Sequence, residues 1–223
     1  MPSPCPLCSA QESALLYRST RKNLQRDYLH CPVCDLVFVP PEFHLEPHLE
    51  KARYSQHNNN VEDAGYRAFL SRLWDVLEPQ LQAGAVGLDY GCGPGPALAA
   101  MMGEAGYDVR VYDPFFAPDK TVLDTSYDFI TCSETIEHFA HPLEEFKTFA
   151  KLLKTQGVLG IMTGMLDSWD DFADWHYPHD DTHITFYSAK TMAWIGQAFG
   201  WQVSFPADNV VVFCFNMPHE TSV

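Results

Sequence analysis

Between Gly87 and Leu98 the chain reads GLDYGCGPGPAL, four glycines and two prolines gathered around an apolar run and an aspartate. Glycine at this density permits positive φ and close approach of a ligand to the main chain, at an entropic cost on folding. The residues before it, Ala85 to Tyr90, form an apolar run that predicts a strand. In open α/β sheets ligands sit beyond the carboxyl ends of the strands, so the predicted strand ends where the glycines begin. A nicotinamide-type G-x-G-x-x-G is absent, because the sixth position from Gly91 is Pro96. The pattern is instead D-x-G-x-G-x-G, over Asp89, Gly91, Gly93 and Gly95.

The surrounding sequence alternates strand and helix patterns. Tyr66, Phe69, Leu70, Leu73, Trp74 and Leu77 recur at helical spacing within Val61 to Leu81. Further helices are predicted at Ala97 to Ala105, Pro142 to Leu153 and Ala189 to Phe199. Strands are predicted at 85–90, 108–112, a short Thr121 to Leu123, 127–132, 158–163, 201–205 and 209–215. This predicts an α/β fold with a seven-stranded, mostly parallel sheet. The last two strands are separated only by PADN, which implies a hairpin and an antiparallel last strand.

The 223 residues suit one medium domain with a small appendage, and 46% apolar with 19% charged residues is the profile of a soluble globular chain. The longest apolar run, Val210 to Phe215, is far short of the ~20 residues that cross a bilayer. No membrane segment is expected, and the N-terminus has neither the basic start nor the apolar core of a signal peptide. A cytoplasmic location is the expectation.

Cys5, Cys8, Cys31 and Cys34 form CPLC and CPVC, two Cys-x-x-Cys turns. Four thiolates on two such knuckles satisfy tetrahedral zinc and leave no open position, which predicts a structural Zn²⁺. Disulfides or a redox dithiol would need an oxidising compartment or a following βαβ unit. With the alternating stretches ALLYRS and LVFVP, residues 1–45 read as a zinc ribbon, 46–60 as a polar connector within the proline-rich stretch PPEFHLEPHLEKARYSQHNNN, and 61–223 as the main domain. Cys92, Cys132 and Cys214 stand apart.

The net charge of -15 lies entirely on residues 61–223, since residues 1–60 hold six Lys/Arg and six Asp/Glu. Such a surface repels a phosphate backbone, so nucleic acid is a disfavoured partner of the main domain. Arg18, Arg21, Lys22 and Arg26 cluster in the ribbon and keep an RNA-docking reading open.

The segment LDYGCGPGPAL resembles the first motif of the class I S-adenosylmethionine-dependent methyltransferases. VRVYDPFF, YDFITCSETIEHF and LLKTQGVLGIMT resemble their second motif, fourth-strand segment and turn into the fifth strand, in the same order along the chain. The resemblance covers residue 60 to the C-terminus and implies a Rossmann-like methyltransferase sheet. It implies cofactor contacts from Asp89, near the amino group, and from Gly91, Cys92, Gly93 and Gly95. Asp113 and Pro114 follow the second strand, with Asp113 placed for the ribose hydroxyls, and Cys132 and Ser133 end the fourth. Ser126, Tyr127 and Phe115 are candidates for the adenine.

Methyl transfer is an in-line displacement that requires an aligned acceptor and, for a hydroxyl, removal of its proton. Glu134, Glu137 and His138 are predicted to start the helix after the fourth strand, on one face. His176, His179 and His183 lie in a segment predicted to cover the site. E-x-x-E-H resembles metal-dependent ribose and catechol O-methyltransferases, including small-RNA 3′-end and ubiquinone-pathway enzymes. That resemblance implies a second divalent metal on Glu134, Glu137, His138 and His183; the alternatives are His138 or His183 as a general base, and glutamates serving a helix N-terminus. Asp167, Asp170, Asp171, Asp174, Asp180 and Asp181, interleaved with Trp169, Phe172, Trp175 and Tyr177, suit a cationic or amphipathic small molecule, or form a solvated face over packed rings. Tyr54, His57 and Asn58 are candidates to cover the site from the connector. The expected function is methyl transfer to oxygen or nitrogen of a small molecule; an RNA methyltransferase and a non-catalytic cofactor-binding module are the rivals.

Overall fold

The computed structural model describes residues 3–56, 60–166 and 168–215. His57, Asn58 and Asp167 lie outside the described residues. In chain order the elements are β1 (Ala14–Arg21), β2 (Leu24–His30), β3 (Val37–Phe38), α1 (Pro47–Tyr54), α2 (Ala64–Leu77), β4 (Val86–Tyr90), α3 (Ala97–Glu104) and β5 (Asp108–Tyr112). There follow β6 (Tyr127–Ser133), α4 (Pro142–Leu152), β7 (Leu153–Met162), β8 (Thr185–Phe186), α5 (Ala189–Phe199), β9 (Trp201–Ala207) and β10 (Val210–Phe215).

The main sheet has the order β5-β4-β6-β7-β10-β9, with β10 antiparallel to both neighbours. It has six strands where seven were expected. Thr121 to Leu123 instead lie in a 3-10 turn over Lys120–Asp124, capped by the Asp119 carboxylate, which accepts from Thr121 N and Oγ1 at 2.9 and 2.7 Å. The Asp119 cap winds this segment into the turn, and β5 remains the edge strand of the sheet.

Alternation along β7 and β10 sends side chains to two cores. Val158, Val210 and Val212 pack with Leu70, Leu73, Trp74 and Leu77 of α2. Leu159, Ile161, Val211 and Phe213 pack with Phe146 and Phe149 of α4 and Met192 and Ile195 of α5. Asp63 caps α2 by accepting from Tyr66 N at 2.7 Å, and Ser188 caps α5, which Gly200 ends at φ +69°. Both helices therefore start and stop where their own residues dictate.

In the ribbon the two knuckles are built alike. Ser9 N donates to Cys5 O and Asp35 N to Cys31 O, each at 2.9 Å, and Ser9 and Asp35 both take φ +62°. The knuckles bring Cys5 Sγ to 3.5 Å from Cys34 Sγ and Cys8 Sγ to 3.4 Å from Cys31 Sγ. The ribbon sheet, β1-β2-β3-β8, does not close on itself: Val37 pairs with Phe186 and Phe38 with Thr185, so its last strand comes from the main domain. The connector also differs from expectation, since it carries helix α1. No helix among the described residues is long and apolar enough to cross a membrane.

Candidate active site

The turn after β4 needs its glycines. Gly91 and Gly93 have φ of +77° and +65°, and a Cβ on Gly91 would lie 2.1 Å from Thr135 Cγ2. The N–H groups of Gly91 and Cys92 both donate to Tyr112 O, at 2.7 and 3.2 Å, which ties the turn to the end of β5. Asp113 completes that tie. Its Oδ2 accepts from Gly93 N at 3.1 Å, and its Oδ1 accepts from Phe115 N and Phe116 N at 2.8 and 2.9 Å.

These residues form one wall of a cleft of about 510 Å³. Gly91, Cys92, Gly93, Asp113, Pro114 and Ser133 line it, and Phe115 does so where Ser126 and Tyr127 do not. Asp89, Gly95 and Cys132 are not brought to the wall. Asp89 is 3% exposed beneath the turn and accepts from Thr131 Oγ1 at 2.9 Å; burial raises its pKa to about 6. Ser133 Oγ is buried at the cleft without a hydrogen-bond partner among the described residues.

The same cleft is lined by the acidic and imidazole groups. Glu134, Glu137 and His138 do not start a long helix. Glu134 has φ +46°, Ile136–His138 form a single 3-10 turn, and α4 begins only at Pro142. This arrangement nevertheless gathers Glu137, His138 and, from a distant segment, His183, with one ligand atom of each within 4.8 Å of the others. Glu134 stands apart from that group and faces Tyr177 Oη at 3.3 Å. Burial and the neighbouring Glu137 raise its pKa to about 8.

Glu137 is fully buried and accepts from Tyr177 Oη at 2.5 Å and from Thr163 Oγ1 at 2.9 Å. Nδ1 of His138 lies 3.0 Å from Thr182 O, and Nδ1 of His183 lies 2.9 Å from Tyr177 O. A carbonyl only accepts, so both Nδ1 atoms carry the proton, and each ring in its neutral form keeps a lone pair on Nε2. The rings are 4.9 Å apart, and burial lowers the His183 pKa to about 4. Tyr54, at the end of α1, sets its ring 5.0 Å from His138 and donates to Glu50 Oε1 at 2.7 Å, so the connector does contribute to the site.

The rest of the expected cover is built differently. His176 and His179 are exposed and do not line the cleft, and Asp170, Asp171 and Asp174 are exposed as well. Phe172 turns inward, 5.0 Å from Tyr28 and 5.2 Å from Phe186, and Trp175 stacks on Tyr177 at 4.9 Å. The segment is a solvated acidic face over packed rings. Tyr177 is the site residue that the sequence did not single out beyond this aromatic set. Nothing local in the sequence marks it as the partner of Glu137, 40 residues away.

A wound sheet with a glycine turn and an acidic residue at the ends of its first two strands, facing a shared cleft, defines a Rossmann-like methyltransferase. A family model described as a methyltransferase domain matches residues 57–204, and the chain belongs to that family, among the class I S-adenosylmethionine-dependent methyltransferases. A search of curated protein sequences finds no match. Among solved structures, the chain is similar to 1,6-didemethyltoxoflavin-N1-methyltransferase of Burkholderia thailandensis, solved with 1,6-didemethyltoxoflavin and S-adenosylhomocysteine. Identity is 16%, coverage 92% of this chain and 100% of that one, and the TM-score 0.51. An O-methyltransferase family protein of Burkholderia thailandensis is 18% identical over 76% of this chain and 64% of that one, with TM-score 0.50. A methyltransferase of Aquifex aeolicus is 17% identical over 74% and 96%, also at 0.50. At these identities the likeness is one of fold.

Proposed function

We propose that the protein methylates an oxygen or nitrogen of a small, uncharged or cationic acceptor, with the His138 and His183 pair receiving the acceptor proton. The observation that carries this reading is the gathering of one nitrogen each of His138 and His183 and a Glu137 carboxylate oxygen within 4.8 Å of one another, in the cleft that the glycine turn also lines. The cleft wall also carries Glu50, Asp113, Glu134, Glu137 and Glu145 and no lysine or arginine among the described residues, which disfavours an anionic acceptor.

The residues fit the cofactor. Gly91 and Gly93 leave the turn without side chains, Asp113 sits at the end of β5 with Oδ2 able to accept once more, from a ribose hydroxyl, and Ser133 Oγ is an unmet polar atom in the same cleft. S-Adenosylmethionine, when bound, supplies an electrophilic methyl group on its sulfonium. The chain's own work is then to hold the acceptor in line and take its proton at Nε2 of His138 or His183, while Tyr54 and α1 limit access of water. Glu137 faces the imidazolium that forms, and its own charge is met by Tyr177 and Thr163.

A second reading places a divalent cation on Glu137, His138 and His183, where it would act as a Lewis acid on the acceptor. It is favoured by the 4.8 Å grouping and by both Nδ1–H groups donating to carbonyls, the kind of bond that orients metal-binding histidines. In the ribbon, the 3.4 and 3.5 Å sulfur pairs approach the ~3.8 Å edge of a tetrahedron with bonds of about 2.3 Å, which supports structural zinc on Cys5, Cys8, Cys31 and Cys34.

The test is calorimetry with S-adenosylmethionine followed by transfer assays on a panel of phenols, catechols and amines. Gly93→Asp sets a carboxylate beside Asp113 and is expected to abolish cofactor binding in a folded protein. His138→Ala and His183→Ala are expected to bind cofactor as the wild type does and to lose about 10²- to 10⁴-fold in rate. Cofactor binding with no transfer across the panel would overturn catalysis. A chelator that abolishes transfer while the ribbon keeps its zinc, with recovery on adding Mg²⁺ or Mn²⁺, selects the metal reading; full activity selects the bases.

A further inference from the structure

Arg26, on β2 of the ribbon, is 3% exposed, and its guanidinium meets only neutral acceptors. Nε donates to Tyr28 Oη at 2.8 Å, Nη1 to Asp181 O at 2.9 Å, and Nη2 to Pro178 O and Asp180 O at 3.1 and 2.8 Å. Tyr28 Oη in turn donates to Pro178 O at 2.9 Å. A guanidinium taken from water without a carboxylate is tolerated only when its N–H groups are met, so these carbonyls are held on it.

The same short segment orients both imidazoles. The carbonyls of residues 178, 180 and 181 converge on Arg26, while those of Tyr177 and Thr182 accept the Nδ1–H of His183 and His138. Immediately after it, Val39 N donates to Ile184 O at 2.8 Å, and Ile184 N donates to Glu137 O at 2.8 Å. A displacement of the 178–181 backbone away from Arg26 would shift the flanking Tyr177 and Thr182 peptides, because planar peptides fix the spacing of consecutive Cα atoms.

We propose that Arg26 is a positioning residue for His138 and His183. It anchors the peptides between Tyr177 and Thr182 and thereby fixes the ring orientation and tautomer of both histidines. The ribbon is then a built part of the acceptor side of the active site. The catalytic meaning of this rests on the reading of the two histidines given above; the structural coupling does not.

The experiment uses the full-length, zinc-loaded protein and compares wild type with Arg26→Gln. Imidazole ¹H–¹⁵N spectra of the wild type are expected to show two slowly exchanging Nδ1–H signals, and Arg26→Gln to lose or broaden both. Methyl transfer is expected to fall about 10- to 100-fold, with S-adenosylmethionine affinity by calorimetry unchanged within about twofold, since the hydrogen bonds of Arg26 reach neither the glycine turn nor Asp113. In a His138→Ala, His183→Ala background, Arg26→Gln is expected to lower the rate no further. A folded Arg26→Gln protein with wild-type imidazole signals overturns the proposal, as does a rate loss that adds in full to that of the histidine variants. If Arg26→Gln does not fold, Arg26→Lys replaces it, with partial loss of the same signals expected and unchanged signals overturning the proposal. Should both histidine variants keep the wild-type rate, the proposed function fails while the imidazole spectra still decide the role of Arg26.

Discussion

Asp89 ends β4 one layer beneath the glycine turn, and its full burial raises its pKa from 3.8 to about 6 against the hydrogen bond from Thr131, which lowers it. Below pH 3.8 the carboxyl is protonated folded and unfolded and costs nothing. Between 3.8 and about 6 the unfolded chain releases the proton while the folded one keeps it, and above that the folded protein holds a buried charge. Stability from this group is therefore present at low pH and lost as pH rises through that window, by about 3 kcal/mol at most. Asp89→Asn keeps the shape and an acceptor for Thr131 without the charge. Cofactor-free urea unfolding of both proteins between pH 4 and 7 should give a wild-type stability that falls relative to Asp89→Asn as pH rises; a constant difference would show that Asp89 does not titrate there. The motif position remains informative, because an ionised Asp89 under the turn contributes negative potential where a cationic amino group is expected. Asp89 itself does not line the cleft.

Strand β3 follows Cys34 by three residues and is the ribbon's junction with β8, which begins two residues after His183. Structural zinc sites supply folding free energy directly, on the order of 10 kcal/mol or more in small domains. On the proposed zinc site, Cys31→Ser should lose the metal, release β1 to β3 and, through the Val37 to Phe186 and Phe38 to Thr185 pairs, raise hydrogen exchange at 184–186, while β4, β6 and β7 stay protected. Elemental analysis with exchange mass spectrometry checks both parts, and unchanged protection at 184–186 in a zinc-free protein would refute the junction. The elements that were legible are those whose own residues specify them. Helices α2 and α5 carry apolar stripes between Asp63, Ser188 and Gly200 signals, and β4, β6 and β7 read as apolar runs because both faces are covered. Helix α1, PHLEKARY, buries no residue fully and has no stripe to read, and β8 is two residues that become a strand only against β3. The glycine turn and the cysteine knuckles were legible because they are local. Arg26 reads in the sequence as part of a basic cluster, since its carbonyl partners lie more than 150 residues along the chain.

At the scale of the whole molecule the ribbon's basic cluster is largely used up. Arg18 is held in two hydrogen bonds to Asp27, at 2.6 and 2.7 Å, and Arg26 is buried, which leaves Arg21 and Lys22 of the four. The main domain behind it carries the entire net charge of -15. RNA affinity rises with the number of phosphates that cations neutralise, and each such contact steepens its salt dependence by about one unit of log slope. Two cations set against this field predict neither tight binding nor a steep slope. Fluorescence anisotropy of the full-length protein with a labelled single-stranded or hairpin RNA, from about 20 to 200 mM salt, should show no saturable binding at protein concentrations of about 10 µM. Saturable binding with a slope of several units would require a cationic surface made by other residues and would restore RNA as the acceptor. Its absence, beside transfer to an uncharged phenol or amine in the same preparation, would leave the ribbon with the internal role that its shared sheet and the bonds of Arg26 indicate.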